Sequence, residues 1–348
     1  MKIVVLAGGL SPERNVSLSS GCKVCTALRQ RGHQVAFVDM FLGTHAPVET
    51  LFDAPLDEEL TRVGRVAPDL EQVKASRTDG GASQFGPGVL ELCAQADVVF
   101  LALHGACGED GRVQAALDLM GIPYTGSNYL GSAIAMDKDL TKRIVAPLGV
   151  QTPSWELVDY TAVDIPGLVE RLEVPCVVKP VDYGSSIGVS IPRTKEELQA
   201  ALEEGLELGG RCVVEQYVQG REIQVGILEG KALPSIEIIP KEGFYDYENK
   251  YQPGAADEIC PAQIPQQWEQ RLAEAALKVF HGVGLAVYSR ADFIVTEDGT
   301  PWFLEINTLP GMTPTSLLPQ EAAVVGIDYG TLCERIIEAS LQARKAGH

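Results

Sequence analysis

One stretch, AVYSRADFIVTEDGTPWFLEIN (residues 286–307), limits the folds open to this chain more than any other. Two runs rich in β-branched and aromatic residues flank Asp298–Gly299, a strong two-residue turn signal, so the stretch reads as an antiparallel hairpin. With that turn, opposed residues have numbers summing to 597, which sets Asp292 opposite Glu305 and Arg290 opposite Asn307. Residues two apart in a strand point the same way, so all four share one face. Directly opposed carboxylates repel, and burying them is costly. Two arrangements relieve the repulsion. A divalent cation could sit between the acids; carboxylate and amide oxygens are hard ligands that suit Mg²⁺ or Mn²⁺ better than zinc. Alternatively, Arg290 neutralises both acids in a structural network. Either depends on register, because a slip of one residue turns Glu305 to the other face.

The N-terminus demands something different. KIVVLAGGLSPERNVSLSSGCKVCTALRQRGHQVAFVDM reads strand, glycine turn, helix, strand, the pattern of a parallel sheet. Proline, glycine and charge break the pattern over residues 41–88, which read as a surface insertion. It resumes with ADVVFLALHG, RVQAALDLMG and IPYTG, and a first domain is expected to end near Gly126. Residues 127–214 read as a central unit. AMDKDLTKRIVAPLGV is a helix, VPCVVKP and GVSIP are strands around a Gly/Ser loop, and RTKEELQAALEEGLEL is an amphipathic helix. Residues 215–348 form a third unit of strands, with an irregular aromatic segment near 241–255, a helix over Gln267–Gly282, and a closing helix near Leu332–Arg344. A length of 348 residues suits two or three such domains.

The net charge of −19 argues against a nucleic-acid partner and against an anionic membrane surface. An anionic ligand would have to be held by a few placed cations and backbone N–H groups. No apolar run approaches a membrane span, and the short first run meets Gly8–Gly9, so it reads as a buried strand and not as an export signal. The eight scattered cysteines then read as reduced cytosolic thiols. Cys22 and Cys25 form a C-x-x-C inside a helix with no second pair nearby, so small buried residues fit better than a metal or redox site.

Several loops carry anion-binding chemistry. VVKPVDYGSSIGVS sets Lys179 at a strand end before Gly184, Ser185, Ser186 and Gly188, which can offer N–H groups and hydroxyls to phosphate oxygens. It is not a Walker A motif, since the lysine precedes the glycines, and a plain turn would look similar. Lys138 stands near a helix start, where the helix dipole disfavours a cation; a bound anion would explain it, and so would simple solvation. His104 ends a strand before a glycine-rich loop with Glu109, and Glu13 lies beyond the first strand; ligands in open α/β sheets bind at such edges. Both could equally be ordinary loop and helix-start residues. FYDYENKY (residues 244–251) sets four aromatics around two acids and Lys250, as an exposed patch, an anchor or a lid.

Taken together, HGACGEDG, MDK, KPVDYGSSIGVS, EQYVQGREIQVGIL, FYDYENKY and SRADF…FLEINTLPGMT resemble the D-alanine–D-alanine ligases of the ATP-grasp superfamily, in family order over all but the 41–88 insertion. The resemblance implies an α/β fold: a parallel α/β N-terminal domain followed by two ATP-grasp domains with antiparallel sheets. It implies ATP-dependent joining of two D-alanines through a D-alanyl phosphate for peptidoglycan precursors, in a cytoplasmic bacterial homodimer. By motif, Asp292, Glu305 and Asn307 match ligands of two Mg²⁺ or Mn²⁺ ions, and Lys138, Lys179 and Lys250 match phosphate contacts. Ser186 and Phe244 fall in motifs around ATP, and Glu215, Val218 and Glu222 match positions around adenine and ribose. Glu13 matches the anchor of the first D-alanine ammonium, with His104 nearby; Ser185 and Tyr251 link Glu13 to the closed loop. Arg290 and the Gly311 backbone match the polarising contacts, and Ser316 and Leu317 match the second carboxylate site. One departure is Gln216, where the family often has lysine.

Three rivals remain at this level. Relatives that join D-alanine to D-serine or D-lactate share most motifs; FYDYENKY with Tyr251 favours an amine as second substrate. An NAD-dependent oxidoreductase would use Gly8–Gly9 and Asp39, but G-x-G-x-x-G is missing. A non-catalytic nucleotide-binding module conflicts with intact Lys179, Arg290, Asp292 and Glu305.

Overall fold

Strand β1 (Lys2–Ala7) has no solvent-facing side from Ile3 to Ala7. A strand buried on both faces belongs in the middle of a parallel sheet covered by helices. The computed structural model describes residues 1–52, 54–57, 68–77, 79–241 and 256–345. After β1 come α1 (Arg14–Gln30) and β2 (Gln34–Asp39). The 41–88 segment carries α2 (Leu70–Ala75) and is closed at its base by Gly86 N–H to the Met40 carbonyl (2.8 Å) and Thr44 N–H to the Pro87 carbonyl (2.8 Å). Then follow α3 (Val89–Cys93), β3 (Val98–Leu101) and α4 (Arg112–Leu119). The sheet order is β2-β1-β3, all parallel, as the alternation requires. IPYTG adds only one bridge, Tyr124 to Val99. Cys22 and Cys25 are buried on α1, and all eight cysteines are free thiols. Burial pushes both of these thiols up to about 11, which suits packing and not reactivity.

The expected single helix over AMDKDLTKRIVAPLGV is two helices, α5 (Tyr129–Met136) and α6 (Lys138–Val145). Asp137 breaks it: its backbone is extended, and its carboxylate accepts the Leu140 N–H at 2.9 Å. That is the N-cap role Asp prefers over a helix interior. Next come β4 (Trp155–Asp159), α7 (Ile165–Arg171), β5 (Cys176–Pro180), α8 (Lys195–Glu207) and β6 (Arg211–Gln216), with antiparallel order β4-β6-β5. Val158, Cys176, Val178, Cys212 and Val214 pack against Ile165, Leu198 and Leu202 of α7 and α8. The alternating residues, Trp155, Val177, Lys179, Val213 and Glu215, therefore occupy the other face. GVSIP is not a strand but a single bridge, Ser190 to Val178. Ser185 and Ser186 before it have φ of 50° and 58°, a left-handed turn of the backbone that ends the extended path.

The last region comprises β7 (Arg221–Leu228), β8 (Lys231–Ala232), β9 (Ile236–Pro240), β10 (Ala256–Ile259), α9 (Gln266–Gly282), β11 (Tyr288–Val295), β12 (Pro301–Asn307), α10 (Leu317–Val324) and α11 (Tyr329–Lys345). Five strands run β10-β9-β7-β11-β12, all antiparallel, with β8 on β7. One face, with Ile223, Val225, Ala291, Phe293, Phe303 and Ile306, packs on Leu272, Ala276 and Val279 of α9. Helix α11 returns to the first sheet, where Leu332, Cys333, Ile336 and Ile337 join its core.

The hairpin differs from its sequence reading in two ways that compensate. Its tip is a three-residue loop, Glu297–Gly299, closed by Thr296 N–H to the Thr300 carbonyl at 3.2 Å; Gly299 takes the left-handed conformation (φ 76°) that such a loop needs. That tip pairs Phe293 with Phe303 and Val295 with Pro301, one step off the expected register. A β-bulge at Leu304 then restores it, so Asp292 pairs with Glu305 and Arg290 with Asn307 as expected. The bulge also lets Phe303 and Ile306 both face the core.

Among the described residues, no helix is long and apolar enough to cross a membrane.

Candidate active site

The free face of the β11–β12 hairpin looks toward the free face of the β4-β6-β5 sheet across a cavity of about 480 Å³. Lys138, Lys179, Ser186, Glu215, Val218, Glu222, Asp292 and Glu305 all line it, eight of the residues singled out from sequence. Val177, Val189, Ile191, Ile239, Ile294 and Leu304 supply apolar walls. An apolar slot with a cluster of charges at one side suits a ligand with a flat ring and an anionic tail.

The two acids of the hairpin each have a cation. Arg290 grips Asp292 with both arms, Nε to Oδ1 and a terminal nitrogen to Oδ2, each at 2.9 Å. Asn307 Nδ2 adds a contact to Asp292 Oδ2 at 3.3 Å. Glu305 lies 3.6 Å from Lys138 Nζ, which also donates to the Tyr183 carbonyl at 2.5 Å. The structural network expected of Arg290 is therefore present at Asp292, and Lys138 adds a cation beside Glu305. Burial pushes the Lys138 ammonium below its ordinary range, against the pull of Glu305. Among the described residues no group of three or more His, Cys, Asp and Glu is arranged as a metal centre. The Asp292, Glu305 and Asn307 set escapes that pattern because its third member is an amide. Its oxygens fit a hard divalent ion that takes further ligands from water and phosphate.

A second cluster lies beyond the Gly/Ser loop. Ser185 donates to Glu13 Oε1. A Cβ on Gly184 would come within 3.0 Å of Glu13 Oε2, and one on Gly105 within 2.8 Å. Both glycine loops thus close tightly on this carboxylate, and Gly105 does so with a left-handed backbone, φ 72°. Glu109 lies beside Glu13, and together with His104 it brackets one residue, Leu309. His104 Nδ1 meets the Leu309 carbonyl at 3.0 Å, and Glu109 Oε1 accepts the Leu309 N–H at 3.3 Å. A carbonyl only accepts, so Nδ1 carries the proton and Nε2 is the acceptor for Ser20 Oγ (3.4 Å). Burial holds this imidazole neutral, down to about 4. Glu109 is pushed well above the usual carboxylate range by burial and then by the Glu13 charge.

That bracket orients the turn leading to Gly311 and Ser316. Ser316 Oγ accepts the Thr313 N–H (3.1 Å) and lies 2.9 Å from where a Gly311 Cβ would be. The Leu317 side chain packs with Ile236 and Ile238, so only its backbone is left for a ligand. Gln216 donates its N–H to the Ser154 carbonyl (2.8 Å), and its side chain is held by Ser154 (3.1 Å). Phe244, Lys250 and Tyr251 lie outside the described residues. Asp39, which a dinucleotide reading would need for ribose, is instead filled by Arg14 and the N–H groups of Phe41 and Leu42.

Among the described residues, two charged groups with no exposed surface escaped sequence reasoning. Lys142 is fully buried between Glu215 and Thr152, although its position on α6 resembles any helix lysine. Glu321 on α10 is fully buried over Gly226, whose N–H it accepts at 2.8 Å, and burial raises its carboxyl well above the usual range. Its i+4 and i+3 neighbours give no sequence signal for either.

Family models described as "D-ala D-ala ligase N-terminus" and "D-ala D-ala ligase C-terminus" match residues 2–127 and 146–338. The chain is 42% identical to a D-alanine–D-alanine ligase of Lacticaseibacillus casei over 98% of its own length and 96% of the relative's. It is 41% identical to one of Pediococcus pentosaceus, over 97% of each. Its fold is similar to the crystal structure of a Bacillus anthracis D-alanine–D-alanine ligase complexed with ATP, with TM-score 0.74, 31% identity and full coverage of both chains.

Proposed function

This chain belongs to the D-alanine–D-alanine ligase family and is an ATP-dependent ligase that joins two D-alanines; we propose that the two clusters described above divide the reaction between them. ATP occupies the cavity, its base against the apolar walls near Val218, its ribose toward Glu222 and its phosphates toward Lys138, Lys179 and Ser186. The observation that carries this reading is the convergence of those residues with Asp292 and Glu305 on one cavity. Asp292, Glu305 and Asn307 would hold Mg²⁺ or Mn²⁺, two ions by the family pattern, which when bound neutralise phosphate charge.

The first D-alanine binds through its ammonium at Glu13, which Ser185 steadies. Its carboxylate then attacks the γ-phosphate to give D-alanyl phosphate and ADP. Such a transfer needs positioning and charge neutralisation more than a protein nucleophile, and lysines and Arg290 supply both. The second D-alanine binds by its carboxylate at Ser316 and the Leu317 backbone. Its amine attacks the acyl carbon, and phosphate leaves. The Gly311 backbone faces the developing oxyanion, held there through the His104 and Glu109 grip on Leu309. Lys250, Tyr251 and Phe244 would act from the 241–255 segment, shielding the acyl phosphate from water. The three units 1–126, 127–214 and 215–348, a cytoplasmic location and a homodimer complete the proposal.

The test is phosphate release from ATP with D-alanine, D-serine and D-lactate supplied in turn, with products identified by mass. D-alanyl-D-alanine as the main product is expected. No stimulation by any of the three would refute the ligase reading, and a dominant mixed product would move the second substrate to D-serine or D-lactate.

A further inference from the structure

Lys142 is a buried cation that the reaction above leaves unused. It sits one turn after Lys138 on α6, with no exposed side-chain surface. Its ammonium donates to Thr152 Oγ1 at 2.6 Å, and that hydroxyl passes a hydrogen bond on to the Phe303 carbonyl at 2.9 Å. It lies over the Trp155 ring, 5.4 Å from the centroid, and 3.0 Å from Glu215 Oε1. The contact with Glu215 is an ion pair without hydrogen-bond alignment. The other oxygen of Glu215 lies 2.8 Å from Lys179 Nζ. One carboxylate, 1% exposed, thus stands between two ammoniums.

The geometry is asymmetric. Lys179 and Glu215 line the nucleotide cavity, and Lys142 stands behind them. Alone, Lys179 and Glu215 would form a neutral pair, and a phosphate approaching Lys179 would meet the carboxylate at nearly the same range. With Lys142 behind, the trio carries one net positive charge, and the member facing the cavity is a lysine. Burial acts to raise the Glu215 carboxyl, yet Lys179 and Lys142 outweigh it and hold the carboxyl below its ordinary range, so it stays charged.

We propose that Lys142 is a counter-charge to Glu215 that leaves Lys179 with an uncancelled positive charge for nucleotide phosphate, so that it sets affinity for phosphorylated nucleotides without touching them. Lys142 is then a positioning residue of the ATP site. This deepens the nucleotide reading of the cavity and rests on it.

The experiment is calorimetric binding of ATP, ADP and adenosine to the full chain at fixed Mg²⁺, for wild type, Lys142→Met, Glu215→Gln and the double variant. Glu215→Gln keeps side-chain length and the main chain beside the base, and Lys142→Met removes the charge with a chain one heavy atom shorter. Lys142→Met is expected to weaken ADP and ATP roughly tenfold or more, with adenosine within about twofold, since at an effective dielectric of about 20 a unit charge about 10 Å from a phosphate is worth that much. Burial already lowers the Lys142 ammonium to about 8 and Glu215 is the main charge opposing that, so in Glu215→Gln Lys142 sheds its proton and adds no field: Glu215→Gln and the double variant should bind ADP within about threefold of each other. That comparison holds even if Lys142→Met alone does not fold. A merely structural Lys142 would instead weaken adenosine as much as ADP, or leave the double variant tenfold below Glu215→Gln; either result overturns the proposal. Failure of the wild type to bind ATP and ADP would overturn the nucleotide reading itself, whereas normal wild-type binding with an indifferent Lys142→Met would overturn only this inference.

Discussion

Asp292→Asn separates the two roles that the hairpin face can have. Asp292 is 3% exposed and accepts three hydrogen bonds, two from the Arg290 guanidinium at 2.9 Å and one from Asn307 at 3.3 Å. Asparagine keeps one acceptor oxygen but sets an NH₂ against the second guanidinium arm. One charge-assisted bond is lost, worth about 1.5–3 kcal/mol, and the guanidinium, 14% exposed, loses its charge partner. The larger penalty of about 3–5 kcal/mol for breaking a buried pair is an upper bound, because Arg290 retains some water. A loss of about 2–4 kcal/mol leaves a domain of ordinary stability, about 5–15 kcal/mol, folded at 25 °C. Urea unfolding measures this part. The second part is a Mg²⁺ titration of ATP-dependent D-alanine ligation. If Asp292 is a metal ligand, the Mg²⁺ midpoint should rise at least ~10-fold, since loss of outer-shell partners alone costs about 10–100-fold. Arg290→Lys is the control, because it keeps the carboxylate while removing the bidentate grip. A stability loss with an unmoved Mg²⁺ midpoint in Asp292→Asn would reduce Asp292 to a structural partner of Arg290 and refute the metal reading.

Other expectations follow from the second cluster. Glu109 is raised to about 8 in the folded chain, from about 4.3 unfolded, by burial and by Glu13. A carboxyl raised on folding favours the native state at low pH, and that contribution is lost as pH rises from about 4.3 through about 8. The melting temperature should therefore fall between pH 6 and 9, and Glu109→Gln, which does not titrate, should flatten the fall; an equally steep fall in the variant would assign it to other groups. Ser185 holds Glu13 while its own backbone has φ 50°, so Ser185→Ala should raise the KM for the first D-alanine while Ser185→Gly does the same with less loss of stability. Equal KM values for wild type and Ser185→Ala would remove Ser185 from the substrate site. His104 is held neutral down to about 4, so no ionisation of His104 should shape the pH profile of kcat/KM between pH 6 and 9; an imidazole titration tracked by NMR in that window would contradict the buried Nδ1–H tautomer.

How far the sequence reached is clearest in the hairpin. Its alternation told which residues share a face, and Asp292, Glu305, Arg290 and Asn307 do. The hairpin reaches that arrangement by a different path from the one its sequence suggests. Asp298–Gly299 reads as a whole turn but is two-thirds of one, and nothing in WFLEIN announces a bulge at Leu304. Each departure shifts the register by one, in opposite senses, and both are needed for Phe303 and Ile306 to reach the core while Glu305 stays out of it. The core therefore selects the bulge: a hairpin without it would keep the tip and turn Glu305 into the α9 interface, where an unpaired carboxylate is costly. The same limit explains Lys142 and Glu321. Periodicity assigns a residue to a helix face, but whether that face meets solvent or a carboxylate is decided by another element, residues away in sequence. Lys142 meets Glu215 only because the assembled fold brings α6 to β6, the central strand of its sheet. Local pattern thus locates the groups that face a ligand, while the charges standing behind them emerge only when the sheets are assembled.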